Sequence, residues 1–457
     1  MLIAVILAVD RARLRREFSE TVVLALPVIA GQLTGVGMTF VDAMLAGHLN
    51  AHTLGAVGVG ANTYALAYVT ALGLMMALPP SVAQLAGANR HGEIGALFRQ
   101  ALWLALTIGL ALVAALYFLG PRLLGLIGVA EGLREETTAF LHAIAWGVPA
   151  LTGYFALRGV SEGVGLTRPS MYFGLFALVL LLPIGWVLMY GKFGVAPMGA
   201  AGAGAATAIV LWLQFGALLA WLYFRPEYAQ LNLFARFDRP RGASIAELLR
   251  IGMPMGFAVL MEAGLFAAAA LALARLGETT AASHQVALNV ASIAFMIPLG
   301  LAMAITVRVG HAVGRGDATG VRYAGFVGIG LALATQVVAT SMMLTFPHVI
   351  VGFYTSDAAV TALASQLLIL AGIFQFSDGV QVASNGALRG LKDTRVPMVI
   401  TVLAYWAIGM PIGWWLTFQA GYGARGMWFG LIAGLSVAAV LLFVRFYREA
   451  TTESWRR

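Results

Sequence analysis

The 457-residue chain has no cysteine. That excludes disulfide bonds, thiolate metal centres and a thiol nucleophile. Charge is scarce too: 11% of the residues are Asp, Glu, Lys or Arg, where a soluble domain carries roughly 25%. Lysine occurs only at Lys192 and Lys392, so the cationic side chains are nearly all arginine. No phosphate-binding GxxxxGK[ST] loop, HExxH pair or CxxC pair occurs. ATP hydrolysis within this chain and hydrolytic metal chemistry are therefore not expected, and no acid–His–Ser constellation suggests a nucleophile. The seven histidines lack metal-ligand spacing; His48 and His52 are four apart but fall in an expected loop. No polar stretch is long enough for a soluble domain.

What remains is 60% hydrophobic, with a mean hydropathy of +0.87. Crossing ~30 Å of hydrocarbon takes ~20 apolar residues. Twelve such runs are expected, near 23–46, 54–80, 100–120, 138–157, 171–191, 200–224, 251–275, 282–306, 323–346, 361–387, 397–417 and 426–445. The fold class is an all-α integral membrane protein. Leu2–Val9 is apolar but too short to span; it precedes an arginine cluster and is read as a frayed N-terminus or the product of an upstream start codon, without a targeting role. The net charge of +8 does not point to nucleic acid, because basic residues collect in cytoplasmic loops. With the N-terminus inside, only Arg122, Arg134, Lys192, Arg275 and Arg425 fall outside. Both termini are thus expected in the cytoplasm.

The chain repeats. Pro27 and Pro254, Asn62 and Asn289, Gly73 and Gly300, and Gly87 and Gly314 all share a spacing of 227 residues. Thr167-Arg168 recurs as Thr394-Arg395, and Pro183-Ile184-Gly185-Trp186 as Pro411-Ile412-Gly413-Trp414 with one residue of slip. Residues 1–224 are read as one six-helix lobe, 225–250 as a cytoplasmic linker, and 251–457 as a second six-helix lobe. Six spans is an even number, so both lobes enter the membrane in the same sense. They are expected to be related by a pseudo-two-fold axis along the membrane normal and to work by alternating access. Pro27 and Pro254 are expected to bend their helices.

Three acids lie within apolar runs: Glu262, Asp378 and Asp42. An ionised carboxylate in hydrocarbon needs a partner, a proton or water, and such residues are functional by default. None is duplicated, since the repeat carries Glu262 onto Gly35, Asp378 onto Leu151 and Asp42 onto Ala269. Glu262 lies ~18 Å beyond Arg250, and Asp378 ~16 Å before Arg389, at the helical rise. Both depths are near the midplane, on helices of opposite direction in one lobe. Two close carboxylates cannot both stay ionised without a counter-charge, so the pair suits H⁺ or Na⁺. Asp42 sits nearer a helix end, in the other lobe. Helix packing is the alternative role for each acid.

Gln285, Asn289, Gln381, Ser384 and Asn385 are candidate polar ligands, with interhelical hydrogen bonding as their ordinary role. Phe266, Phe295, Met296, Phe374 and Phe376 could line a cavity for a lipophilic cation. The other acids are expected on solvated faces, and Glu162, Arg158 and Arg308 at the membrane interface.

The stretches ALPVIAGQLTGVGMTFVDAMLAGHL, PPSVAQLAGANRHGE, IGMPMGFAVLMEAG, ASHQVALNVASIAFMIPLGLAMAITVRVGHAVGRGD and FQFSDGVQVASNGALRGLKDTRVPM together resemble the multidrug and toxic compound extrusion (MATE) transporters, in their NorM-like branch. The resemblance implies a secondary antiporter of the bacterial inner membrane that exports cationic, hydrophobic drugs against Na⁺ or H⁺. It needs no other cofactor and is expected to be monomeric. It implies that Glu262 and Asp378 are the cation-binding pair, that Asp42 is the first-helix acid, and that Phe295 contacts the cation. Phe374 stands where the family often has tyrosine, and the missing hydroxyl removes a coordinating group there. Met171–Gly191 has no acid, unlike the DinF-like branch, which favours coupling in the second lobe. A lipid-linked sugar flippase on the same scaffold, which would want a basic cavity, and an integral-membrane enzyme are the alternatives.

Overall fold

The computed structural model describes residues 10–456, and among them every regular element is helical. Leu2–Val9 lies outside the described residues. Helix is what hydrocarbon demands, because it satisfies every backbone donor and acceptor within one segment. Among the described residues, eleven helices are long and apolar enough to cross a bilayer. In the first half these are α1 (Arg11–Leu49), α2 (Ala51–Gly87), α3 (His91–Leu126), α5 (Arg168–Tyr190) and α6 (Gly199–Phe224). In the second half they are α7 (Gly242–Ala274), α8 (Glu278–Gly314), α9 (Ala318–Thr345), α10 (Ala358–Gly390), α11 (Arg395–Phe418) and α12 (Ala424–Thr452). The twelfth span, α4, is the pair Glu131–Ala145 and Val148–Gly163, bent by 43°.

Loop acids start several helices. Asp317 Oδ1 accepts from the Gly320 amide at 2.8 Å, and Asp357 Oδ1 from the Val360 amide at 2.8 Å. Each satisfies an orphan donor of a first turn. Gly191 closes α5 with φ +68°, a left-handed geometry that glycine adopts without strain.

The described residues form two compact units: Ala30–Gly256, and residues 10–29 together with 257–456. The divisions fall inside α1 and α7, shortly after Pro27 and Pro254, rather than in loops. In the Ala30–Gly256 unit, one core gathers Phe98, Leu157 and Leu218, and another Phe140, Leu181 and Val210. In the other unit, one core gathers Leu367, Tyr405 and Trp428, and another Ile305, Leu388 and Phe446.

Close approach within that second unit depends on glycine. A methyl on Gly430 would fall 2.3 Å from the Cα of Gly413, so α11 and α12 touch through bare backbone. Within α11, residues Leu403–Gly409 form a π-helical turn.

Several charged groups expected at the surface are buried. Arg158 and Glu162 are not interface anchors. Both are buried in α4, where Arg158 Nε donates to Glu162 at 2.6 Å and Arg158 Nη1 donates to Gln32 at 3.1 Å. Ser170 Oγ donates to the same Glu162 oxygen at 2.7 Å. Arg308 is likewise buried, donating to Glu17 at 2.6 Å and pairing with Glu20. Glu17 is itself buried rather than solvated. The helix extends back to Arg11, before the apolar run that begins near residue 23, and Glu17 and Glu20 of that extension are paired to α8.

Candidate functional site

α7 and α10 bring Glu262 and Asp378 to one cavity of about 140 Å³. Asp378 is 3% exposed and Glu262 half-buried. Phe266 lies one turn after Glu262, and Phe374 one turn before Asp378, so each acid shares a helix face with a ring. α8 contributes Leu288, Ala291, Ser292 and Phe295, which follow the i, i+3, i+4, i+7 stripe of a single helix face. Trp428 of α12 completes the lining. The rings meet edge to face, Phe266 against Phe374 at 6.0 Å and Phe374 against Trp428 at 5.9 Å between centroids.

Buried amides hold the walls. Gln336 Nε2 donates to Gln375 Oε1 at 3.0 Å, and Gln375 Nε2 donates to the Ala291 carbonyl at 3.1 Å. This chain ties α9, α10 and α8 behind the cavity. On the α7 side, the Trp406 indole donates to the Met261 carbonyl at 3.1 Å, next to Glu262. Two further polar groups bear on the acids. Arg389, read from sequence as a loop residue, is buried in the last turn of α10 and within electrostatic reach of Glu262. Tyr405 of α11 is buried behind the cavity's lining residues and feels the charge of both carboxylates.

The remaining candidates are placed as follows. Phe295 and Phe374 line the cavity; Met296 is half-buried and outside its lining. Gln285 and Asn289 are exposed on α8 and bonded to each other at 3.1 Å. Gln381 and Ser384 are buried on α10, with Gln381 Oε1 and Ser384 Oγ unpartnered. Asp42 belongs to the Ala30–Gly256 unit. One of its oxygens accepts from Thr207 Oγ1 at 3.1 Å, and the other is buried with no partner among the described residues. Sequence reasoning passed over Leu288, Ala291 and Ser292, which helical spacing from Phe295 would have found. It also passed over Trp428, Arg389 and Tyr405, for which only the fold supplies the neighbourhood.

The chemistry open to this cavity follows from its walls. Two carboxylates in apolar surroundings hold a proton or a small cation. Aromatic faces nearby accept an organic cation.

The MatE family profile matches the chain twice, at residues 27–187 and 254–415. The two matches are offset as the internal repeat is. A probable multidrug resistance protein NorM of Xanthomonas campestris pv. campestris is 50% identical over 95% of this chain and 94% of its own. Multidrug resistance protein PmpM of Pseudomonas aeruginosa is 42% identical over 96% of this chain and 93% of its own. NorM of Vibrio cholerae is 38% identical, with 95% and 96% covered. Among solved structures, the eukaryotic MATE transporter AtDTX14 superposes with a TM-score of 0.87 at 20% identity, covering 97% of this chain and 99% of that one. An outward-facing multidrug resistance MATE transporter superposes with a TM-score of 0.88 at 18% identity, covering 95% and 96%.

Proposed function

The chain belongs to the MatE family, and from that membership we propose that it is a secondary active multidrug efflux transporter that exports cationic, hydrophobic drugs in exchange for Na⁺ or H⁺ by alternating access of its two halves. It is a transporter and not an enzyme, as its relatives are. It works as a monomer in the bacterial inner membrane, with both termini cytoplasmic. The observation that carries the reading is the cavity that Glu262 and Asp378 share, walled by aromatic rings. The acid pair binds the coupling ion, and the rings contact the organic cation. Release of one ligand as the other binds makes the exchange obligatory, because both neutralise the same buried charge. The charged groups in the cavity's lining are carboxylates, with Arg389 behind them, and this favours a cationic passenger over the phosphate of a lipid-linked sugar.

Proteoliposomes test this directly. Efflux of a hydrophobic cation such as ethidium is followed under a Na⁺ gradient at constant pH, then under a pH gradient without Na⁺. Acceleration by either gradient in the unmodified protein, lost in Glu262→Gln, supports antiport at this cavity. Equal rates with and without both gradients refute it.

A further inference from the structure

Tyr405 is 0% exposed, and its hydroxyl has no hydrogen-bond partner among the described residues. A buried hydroxyl left unpaired loses its hydration without compensation, so it needs a compensating role. Its surroundings supply one. Tyr405 lies in the π-helical turn Leu403–Gly409, and such turns recur at functional sites. The next residue, Trp406, is fixed to the Met261 carbonyl, and its ring packs 3.4 Å from where a Cβ on Gly264 would stand. The turn therefore lies along the stretch of α7 that carries Glu262. The Tyr405 ring belongs to the core that includes Phe374 and Trp428, two residues of the cavity lining. One turn back on α11, Thr401 has a second buried, unpartnered hydroxyl.

We propose that the Tyr405 hydroxyl is the neutral oxygen ligand of the cation site, joining Glu262 and Asp378 when Na⁺ is bound. This rests on the antiport reading of the same cavity. The chemistry favours it. Na⁺ is a hard cation that takes several oxygens, and two carboxylates alone leave its shell short. A phenolic oxygen adds a ligand without adding a charge. A proton needs only one carboxylate oxygen, so the hydroxyl selects for Na⁺ over H⁺. Phe374 offers no oxygen from the tenth helix, and Tyr405 offers one from the eleventh.

The test is Tyr405→Phe, which keeps the ring and removes the oxygen. Purified protein in detergent is labelled at its buried carboxylates with dicyclohexylcarbodiimide at fixed pH and increasing Na⁺. Protection of Glu262 and Asp378 is read by mass spectrometry. The Na⁺ concentration for half-protection rises roughly tenfold in Tyr405→Phe, the scale at which a metal-site partner changes affinity. Labelling without Na⁺ is unchanged, and drug binding by the variant reports that it is folded. Half-protection at the same Na⁺ concentration in both proteins overturns the proposal. So does an unmodified protein that Na⁺ does not protect. If Glu262→Gln still abolishes gradient-driven efflux in either case, the antiport reading stands and only the role of Tyr405 falls.

Discussion

Glu262 and Asp378 border one cavity from helices of opposite direction, and their aromatic neighbours follow from that polarity. Phe266 is four residues after Glu262, and Phe374 four residues before Asp378. On antiparallel helices, these opposite offsets put both rings on the same side of the acids. The rings meet there, 6.0 Å apart, and close that side of the site with apolar surface.

On the proposed antiport reading, neutralising either acid removes the exchange site without disturbing its walls. Glu262→Gln and Asp378→Asn each reduce gradient-driven efflux to the level of empty vesicles, while expression and insertion stay normal. The double variant is no worse than either single one, because both act through one bound ion. Efflux assays on reconstituted protein at matched protein levels check this. Full drug resistance in cells carrying both changes contradicts it.

Much of this arrangement was legible in the sequence. The twelve spans, the repeat and the three unduplicated acids are matters of composition and spacing, which a bilayer constrains strongly. The buried charges were not legible. The repeat carries Glu162 onto Arg389, two side chains of opposite sign that are both buried. Read singly, each looks like a loop charge near a helix end. Only packing reveals that Glu162 has Arg158 and Ser170 against it, and that Arg389 senses Glu262. Gln285 and Asn289 mislead in the opposite way. Their polarity suggested ligands, but they are exposed and bonded to each other.

Asp42 is held through one oxygen only, by Thr207. Asp42→Asn lowers drug efflux severalfold with expression intact, because it removes a charge rather than a packed volume. Thr207→Val has a smaller effect in the same direction, since the carboxylate survives. A purely structural Asp42 gives the opposite pattern, lowered expression with normal efflux per molecule. Quantitative immunoblots paired with efflux rates separate the two.

The Arg158–Glu162 pair predicts a stability effect. Both side chains are buried, so Arg158→Met strips Glu162 of its ion-pair partner and leaves it the Ser170 hydroxyl. Breaking a buried pair from one side costs about 3–5 kcal/mol. Arg158→Met and Glu162→Gln each lower the melting temperature in detergent, and the double variant Arg158→Met/Glu162→Gln recovers part of the loss. Additive losses would mean that the two residues act separately.

Asp238 in the linker carries a pH dependence. The hydrogen bond from Arg99 at 2.7 Å, with the charges of Arg99, Arg236 and Arg241, holds its carboxyl below the ordinary 3.8. A lowered folded-state pKa stabilises the attached linker above that ordinary value, and the contribution is lost as the pH falls through the folded value. Since the chain lacks cysteine, Phe237→Cys places a single spin label on the exposed neighbour. Label mobility is low at pH 6 and rises below about pH 4. In the Asp238→Asn background it is high at both.

The contact between α11 and α12 decides whether the cavity keeps its shape. A methyl on Gly430 would meet the Gly413 backbone at 2.3 Å and the Gly409 carbonyl at 2.5 Å, and backbone cannot rotate away as a side chain can. Gly430→Ala therefore forces the two helices apart, at about 1–3 kcal/mol for overpacking. α12 carries Trp428 in the cavity lining, and α11 carries Trp406 against Met261. Separation moves both supports of the acid site, so the variant loses melting temperature and Na⁺ protection of Glu262 together. Gly330→Ala serves as the control, because a Cβ there meets nothing within 4 Å, and it changes neither. A Gly430→Ala protein that melts lower but binds Na⁺ normally would place the contact outside the site's support.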